Sequence, residues 1–250
     1  MRDFRVLLLA GLFACPSFGA HATEPACETH HFEASRFTAC LFDSRRDELR
    51  LAWTTGRDGS ALRSFERLKT ALGRDAARVR FAMNAGMYAE NGNPIGLYAE
   101  NGKIRRPLNE RDGAGNFYVK PNGVFSLDAD GTVHVEPSGA FATRRAQPSF
   151  ASQSGPVLVT NNVLHPGISE DGPSQYIRNG VGIRDAHTAM FVISDDPVSF
   201  GKLARFLRDE LKCRDALYFD GAISSAWIPA QHRMTQAAPL GPLVVVMGKR

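Results

Sequence analysis

Past its first fifteen residues, this 250-residue chain has no apolar run near the ~20 residues that a membrane-spanning helix needs. It also lacks a block of like charge: a formal +4 is spread over 30 basic and 26 acidic residues. Arg105 with Arg106, and Arg144 with Arg145, stand as isolated pairs, which argues against nucleic acid as a partner. The seven histidines are scattered, and none sits at helical i, i+4 spacing from another with a glutamate between, so there is no zinc signature. No segment has the oxygen-ligand spacing of an EF-hand. An acidic loop at Glu170 and Asp171 is where a structural calcium ion would sit, although a solvated charged loop explains it more simply. The expectation is therefore no resident cofactor.

Cysteine is scarce, at four residues, and its placement bears on the compartment. Arg2 and Arg5 precede an apolar stretch over 6–14, and Ala20, His21 and Ala22 then put small residues at the two positions a signal peptidase reads. Residues 1–22 thus read as a secretory leader, and its removal with Arg2, Arg5 and Asp3 leaves a soluble periplasmic or secreted chain of charge +3. The stretch ending at Cys15 also has a fainter likeness to a lipoprotein signal, with Phe13 a poor fit, so lipid anchoring is the lesser expectation. Cys27 and Cys40 are close enough in sequence for a bridge that pins the mature N-terminal arm. Cys213 is then a buried structural thiol, although a pairing that involves it stays open.

The remaining length suits one substantial core, in which 23–78 supplies an N-terminal hairpin and helix and 79–250 the rest. Strand signals dominate. Residues 32–42 and 48–53 read as a hairpin about a polar turn at 44–47. Asn101-Gly102 joins 95–100 to 103–106, and Asp130-Gly131 joins 124–127 to 132–136. Two further hairpins are expected, 157–160 with 163–164 and 181–183 with 188–193, besides single strands at 79–83 and 243–247. Leu62, Phe65, Leu68 and Leu72 recur at helical spacing ahead of Gly73, predicting a helix over 59–72. Phe200, Leu203, Ala204, Leu207 and Leu211 predict a second over 199–211, with Ser199 as its cap. The fold class is α+β: one domain of mixed, mostly antiparallel sheet with packed helices. The oligomeric state is not legible.

Three polar clusters stand where strand signals end. Asp220 closes an apolar run at 216–219 and is followed by Gly221, Ala222, Ile223, Ser224 and Ser225, so a carboxylate faces a turn of small residues. Asn84, Gly86 and Tyr88 end another strand, and Gln153, Ser154 and Gly155, with Arg178 and Asn179, repeat the pattern. Any one of these alone is most simply a glycine turn with a capping side chain. Together they suit a polyhydroxylated or phosphorylated ligand, since amides and carboxylates pair with hydroxyls and a guanidinium grips phosphate by two parallel hydrogen bonds.

These segments resemble the phosphodiester glycosidase family. Residues 84–88 are similar to its Asn-Gly-Gly-Phe-Phe element, 178–182 to its Arg-x-x-x-Gly element and 219–224 to its Leu-Asp-Gly-Gly-Gly-Ser element, in the same order over about 79–247. Ala85, Ala222 and Ile223 replace family glycines and narrow the pocket floor. The resemblance implies hydrolysis of an N-acetylglucosamine-like sugar from a phosphodiester-linked glycan. Because a phosphate leaves as a stable anion, the need for a general acid is reduced and one carboxylate suffices. Asp220 and Arg178 are the expected catalytic pair, the first stabilising the oxocarbenium-like transition state and the second binding phosphate. Asn84, Gly86, Tyr88, Gln153, Ser154, Gly155, Asn179, Gly221 and Ser224 are expected to hold the carbohydrate. Two rivals remain: a non-catalytic envelope carbohydrate-binding protein, and a metal-dependent phosphodiesterase that cuts phosphorus from oxygen.

Overall fold

The computed structural model describes residues 26–55, 59–145, 147–220 and 223–250. The expected leader at 1–22, with Cys15, and Gly221 and Ala222 lie outside these. The described chain forms three antiparallel sheets. The first runs, in spatial order, through Cys27–Phe32, Ser35–Asp43, Thr188–Ser194, Asn179–Asp185, Asp215–Tyr218, Val157–Thr160 and Val163–Leu164. The second orders Arg233–Thr235, Ala226–Ile228, Val79–Asn84, Leu243–Gly248 and Asp47–Ala52. The third orders Lys103–Arg106, Tyr98–Glu100, Phe150–Ser154, Gly123–Leu127 and Val133–Pro137.

All four Asn- and Asp-containing or strand-flanked hairpins expected after residue 95 pair as antiparallel neighbours. The opening hairpin does not form as expected. Ser35–Asp43 pairs instead with Cys27–Phe32, through Glu33 and Ala34 at φ 44° and 57°, the left-handed pair that a two-residue hairpin turn demands. Asp47–Ala52 pairs with Leu243–Gly248 in a different sheet. The corner between them is stitched locally: the Asp43 carboxylate accepts from the Arg45 backbone and guanidinium, and the Ser44 amide donates to the His187 carbonyl at 2.9 Å. Alternating burial marks Asp47–Ala52 as a strand but does not say which sheet it joins.

The first helix starts later than its periodicity suggests, at Phe65–Leu72, because Arg63 adopts φ 62° and Ser64 caps the helix by accepting from the Arg67 amide. Its buried Phe65 and Leu68 pack with Leu62 against Trp227, Leu243 and Val245 of the second sheet. The second helix is Phe200–Arg205, capped by Ser199, and it widens into a π-helical turn at Phe206–Glu210. Leu203, Phe206, Leu207 and Leu211 cover Phe37, Val192 and Ala216 on one face of the first sheet. A short helix, Ser138–Arg144, has no counterpart in the sequence reading.

One core draws on all three sheets. Phe191 from the first, Phe81 from the second and Phe125 from the third are fully buried, with ring centroids 5.5 and 5.4 Å from Phe191, and Phe219 lies 6.3 Å from it. Such tilted and edge-on contacts add to simple area burial. Cys27 and Cys40, register partners on neighbouring strands, form the disulfide. Cys213 is free and buried, and burial pushes its thiol up to about 12. A disulfide, together with the lack of any helix long and apolar enough to cross a membrane among the described residues, is consistent with an exported protein. Replacing Phe191 by alanine should cost about 3–5 kcal/mol of stability, read by denaturant unfolding, because the cavity opens where the three sheets meet.

Candidate functional site

The Asp220 turn sits where one end of each sheet arrives. Asn84 ends Val79–Asn84 of the second sheet, Asn179 begins Asn179–Asp185 of the first, and Ser154 ends Phe150–Ser154 of the third. All three side chains are buried, at 1 %, 0 % and 0 % exposure for the residues, so every polar atom they bring must find a partner inside the protein. They find one another and the turn. Asn84 Nδ2 donates to the Asp220 carbonyl at 2.8 Å, and Asn84 Oδ1 accepts from the Ser225 amide at 2.8 Å, so one side chain holds both ends of the turn. Asn179 Nδ2 donates to the Asn84 carbonyl at 2.8 Å and to Asn84 Oδ1 at 3.1 Å, while its Oδ1 accepts from Ser224 Oγ at 3.3 Å. Ser154 Oγ donates to the Phe219 carbonyl at 3.2 Å, and the Phe219 amide donates to the Asn179 carbonyl at 3.1 Å. Gly86 is needed for the same convergence: a Cβ there would collide with the Gln153 carbonyl, and its amide instead donates to Ser152 Oγ at 3.0 Å.

Three of the sequence-derived site residues are left half-exposed around this knot: Asp220, Ser224 and Tyr88. The Tyr88 hydroxyl donates to the Pro239 carbonyl, and its ring backs onto Gly241, where any side chain would clash with it. Burial pushes the phenol up to about 12, the Asp220 carboxylate adds to that, and the nearby Arg63 guanidinium opposes it. The carboxylate and the phenol therefore lie within electrostatic reach of each other, and the phenol stays protonated at any physiological pH. The Arg63 Cζ lies 5.6 Å from the centroid of the Tyr88 ring. Its left-handed backbone is anchored by the Leu240 amide and by Gln236 Nε2, both donating to its carbonyl at 2.8 and 3.1 Å.

The other expected residues occupy different places. Arg178 is 1 % exposed, and four hydrogen bonds hold its guanidinium inside the protein. Nε donates to the Val198 carbonyl at 2.8 Å, Nη1 to Tyr218 Oη at 3.1 Å, and Nη2 to the Ser174 carbonyl and Oγ at 2.9 and 3.0 Å. The Phe200 ring lies 3.7 Å from its Cζ, and burial pulls the guanidinium below its ordinary value. A phosphate could reach it only by displacing these partners, so the structure gives Arg178 a bracing part and not the phosphate-binding one expected of it. Gln153 is likewise saturated. Its Oε1 accepts from the Leu97 and Asn109 amides, both at 2.9 Å, and its Nε2 donates to the Asn109 carbonyl at 2.7 Å and to Ser138 Oγ at 2.9 Å. Gln153, Asn84 and Asn179 have no hydrogen-bonding capacity left for sugar hydroxyls, and Ser154, Gly155 and Gly86 are buried behind them. Gly221 falls outside the described residues. At the acidic loop considered for calcium, Arg205 Nη2 lies 3.2 Å from Asp171 Oδ1, and Nη1 donates to the Glu170 carbonyl at 2.8 Å. Among the described residues, no three His, Cys, Asp or Glu side chains gather as metal ligands. Arg63 escaped the sequence reading because an arginine ahead of a helix cap has no signature; only its place beside Tyr88 in space marks it.

The family model for phosphodiester glycosidases matches residues 77–246. The YigE protein of Escherichia coli (strain K12) is 31 % identical over 248 residues, covering 99 % of this chain and 93 % of that one. Among solved structures, the catalytic domain of zebrafish N-acetylglucosamine-1-phosphodiester alpha-N-acetylglucosaminidase, auto-inhibited by its pro-peptide, superposes with a TM-score of 0.59 at 13 % identity. That match covers 92 % of this chain and 86 % of the domain. A Synechocystis protein superposes with a TM-score of 0.58 at 13 % identity over 89 % of this chain, which spans 61 % of that protein's length. At these identities the structural likenesses establish the fold.

Two outcomes test the site geometry. Asn84→Ala should lower stability by about 3 kcal/mol in denaturant melts, since it strands the Asp220 carbonyl and the Ser225 amide and leaves the Asn179 amide only the main-chain carbonyl of residue 84. In tyrosine-labelled protein followed by NMR, the Tyr88 phenol should ionise near 12, and Asp220→Asn should bring it down by removing a like charge. Because the folded chain favours the neutral phenol, that contribution to stability is complete below pH 10 and is lost as the pH rises towards 12.

Proposed function

The chain belongs to the phosphodiester glycosidase family, and on that footing we propose that it is an exported hydrolase releasing a sugar from a phosphodiester-linked glycan. Export rests on the leader at 1–22, which directs the mature chain to the periplasm or beyond. The observation that carries the chemical part is the convergence of three sheet ends on one turn, which fixes the backbone of Asp220 while leaving its side chain half-exposed. Rigidity of this kind is what a catalytic carboxylate requires, because a group held in position before the substrate arrives needs no reorganisation as charge develops.

Asp220 is the carboxylate that faces the anomeric carbon and stabilises the positive charge of the oxocarbenium-like transition state, as nucleophile or as base for water. A phosphate leaving group already departs as an anion, so a second acidic carboxyl is not required of the site. Tyr88, protonated and half-buried beside Asp220, offers a ring face and a phenol dipole to the sugar. Ser224, at the other end of the turn, offers its hydroxyl. With Arg178 enclosed, the phosphate falls to Arg63, the guanidinium that shares the Tyr88 environment with Asp220. Asn84, Asn179, Ser154 and Gln153 act as positioning residues through the turn and its supporting strands.

The experiment is turnover of an N-acetylglucosamine phosphodiester by the purified mature chain. Asp220→Asn should lower kcat by ~10³-fold with the fold intact, and Arg63→Gln should act mainly on KM. A fully active Asp220→Asn enzyme removes Asp220 from the mechanism. In heavy-oxygen water the label should enter the released sugar; label in phosphate, with activity lost to chelator, would instead identify a metal-dependent phosphodiesterase.

A further inference from the structure

The end of the second sheet remote from Asp220 carries the chain's charge imbalance. Register places Gly248 opposite Asp47 and Met247 opposite Val79 at that end, and Leu243 opposite Asn84 at the other, beside the Asp220 turn. At ~3.3 Å per residue, the strand Val79–Asn84 sets the two ends about 17 Å apart. Ion pairs at the remote end join basic side chains that outnumber their acids. Asp43 is shared by Arg45 and Arg46, at 2.8 and 3.5 Å, Glu48 by Arg50 and Arg78, and Asp75 by Arg78 and Arg250. Asp47 pairs with Arg80, and the Lys249 ammonium rests on the Ser44 and Arg45 carbonyls at 3.0 and 2.9 Å. Seven cationic side chains thus stand against four carboxylates. That surplus of three equals the formal charge of the chain without its expected leader, so elsewhere basic and acidic residues balance in number.

This arrangement suits an extended anionic surface better than a single small anion. Arg78, the most enclosed of the guanidiniums, donates to the Gly248 carbonyl through Nε and Nη2 at 3.1 and 2.7 Å, and also to Asp75 and Glu48. It cannot grip a phosphate without giving up those partners, whereas a net surplus of charge acts over a Debye length whatever the local pairing. The side chains that carry the surplus outward are Arg45, Arg46 and Arg250, at 63, 54 and 77 % exposure, and the exposed Lys249. Exposed pairs of this kind hold their partners weakly and exchange them readily. Two open hollows, of about 590 and 570 Å³, meet along Asp47, Arg78 and Lys249 and give the face its relief. The large apolar side chains exposed among the described residues, Ile104, Val119, Val163 and Tyr176, line neither hollow, so attraction here is electrostatic and not insertion into hydrocarbon.

We propose that this end is a docking face for an anionic phospholipid membrane, with Arg45, Arg46, Lys249 and Arg250 drawn to the headgroup phosphates by reversible, salt-screened attraction. The choice of occupant rests on the export reading, since an exported chain meets such a surface, and not on the chemistry at Asp220. Docking in this way turns the Asp220 turn, at the opposite end of the sheet, away from the lipid and towards the aqueous compartment.

The test is co-sedimentation of the purified mature chain with vesicles of phosphatidylcholine, alone or mixed with phosphatidylglycerol, at low and high salt. It needs no turnover, so its outcome is separate from that of the hydrolase reading. Two double variants are compared with the wild type: Arg46→Glu with Lys249→Glu at the basic end, and Arg111→Glu with Lys120→Glu, exposed positions beside Asn109, which Gln153 holds near the catalytic turn. Both pairs change the net charge equally, and thermal melts certify the fold; Arg46→Gln with Lys249→Gln serves if the reversal destabilises the chain. The proposal expects wild type to bind only the vesicles with phosphatidylglycerol, with the partition coefficient falling at least about 10-fold in high salt and in the Arg46 and Lys249 variant. The Arg111 and Lys120 variant should keep most of the binding. Four results overturn the proposal: no binding to the anionic vesicles, equal binding to phosphatidylcholine alone, binding that survives loss of the Arg46 and Lys249 charges, or an equal fall in both double variants. Retention of the chain by soluble polyphosphate without any vesicle binding also overturns it, in favour of a dissolved polyanion.

Discussion

A pair of buried asparagine amides, facing one another between two sheets, is the contact on which the rest of the site depends. Asn84 and Asn179 exchange hydrogen bonds, and between them they also hold the Asp220 carbonyl, the Ser225 amide and the Ser224 hydroxyl. Buried amides are tolerated only when nearly every lone pair and N–H is matched, and here the matching groups come from the far end of the chain. That requirement ties the end of one sheet, the start of another and the turn after Asp215–Tyr218 into a single geometry. Shifting any of the three by one residue would leave several polar groups unpaired in a dry interior.

Around this knot the protein separates groups that must be still from those that must be reachable. Arg178 belongs to the first kind. Removing a guanidinium from water is expensive, and the cost is offset by four hydrogen bonds and by the face of Phe200, so the side chain acts as a brace under the strand that begins at Asn179. Asp220, Tyr88 and Ser224 belong to the second, half-open at the surface of a scaffold they do not themselves hold together.

Legibility in the sequence followed the range of the interactions. Hairpins with Asn101-Gly102 or Asp130-Gly131 were readable because two residues with permissive φ decide them locally. The helix stripes at Phe65 and at Phe200 were readable for the same reason, although Arg63 in a left-handed conformation and the π-helical turn at Phe206–Glu210 altered their ends. The partner of Asp47–Ala52 was not readable. An alternating strand has a buried face whichever sheet it joins, and only the competition of Cys27–Phe32 for the edge of Ser35–Asp43 sends it to the second sheet.

The same distinction applies to the site. The order of residue types alone determined that a carboxylate ends a buried strand at a turn of small residues, that amides stand beside glycines at two other strand ends, and that two cysteines lie in bridging range. It also placed Asn84, Asp220 and Asn179 in one neighbourhood, through the spacing of segments that resemble a known family. Which polar groups face solvent and which are consumed inside was settled only in three dimensions. Arg178 and Gln153 look in sequence like ligand-binding residues and are held inside by partners 4 to 56 positions away, whereas Arg63 looks like nothing in particular and stands over Tyr88. A side chain's chemistry is written in its identity, but its availability depends on whether the folded chain has already satisfied its hydrogen bonds, and those partners are chosen by packing.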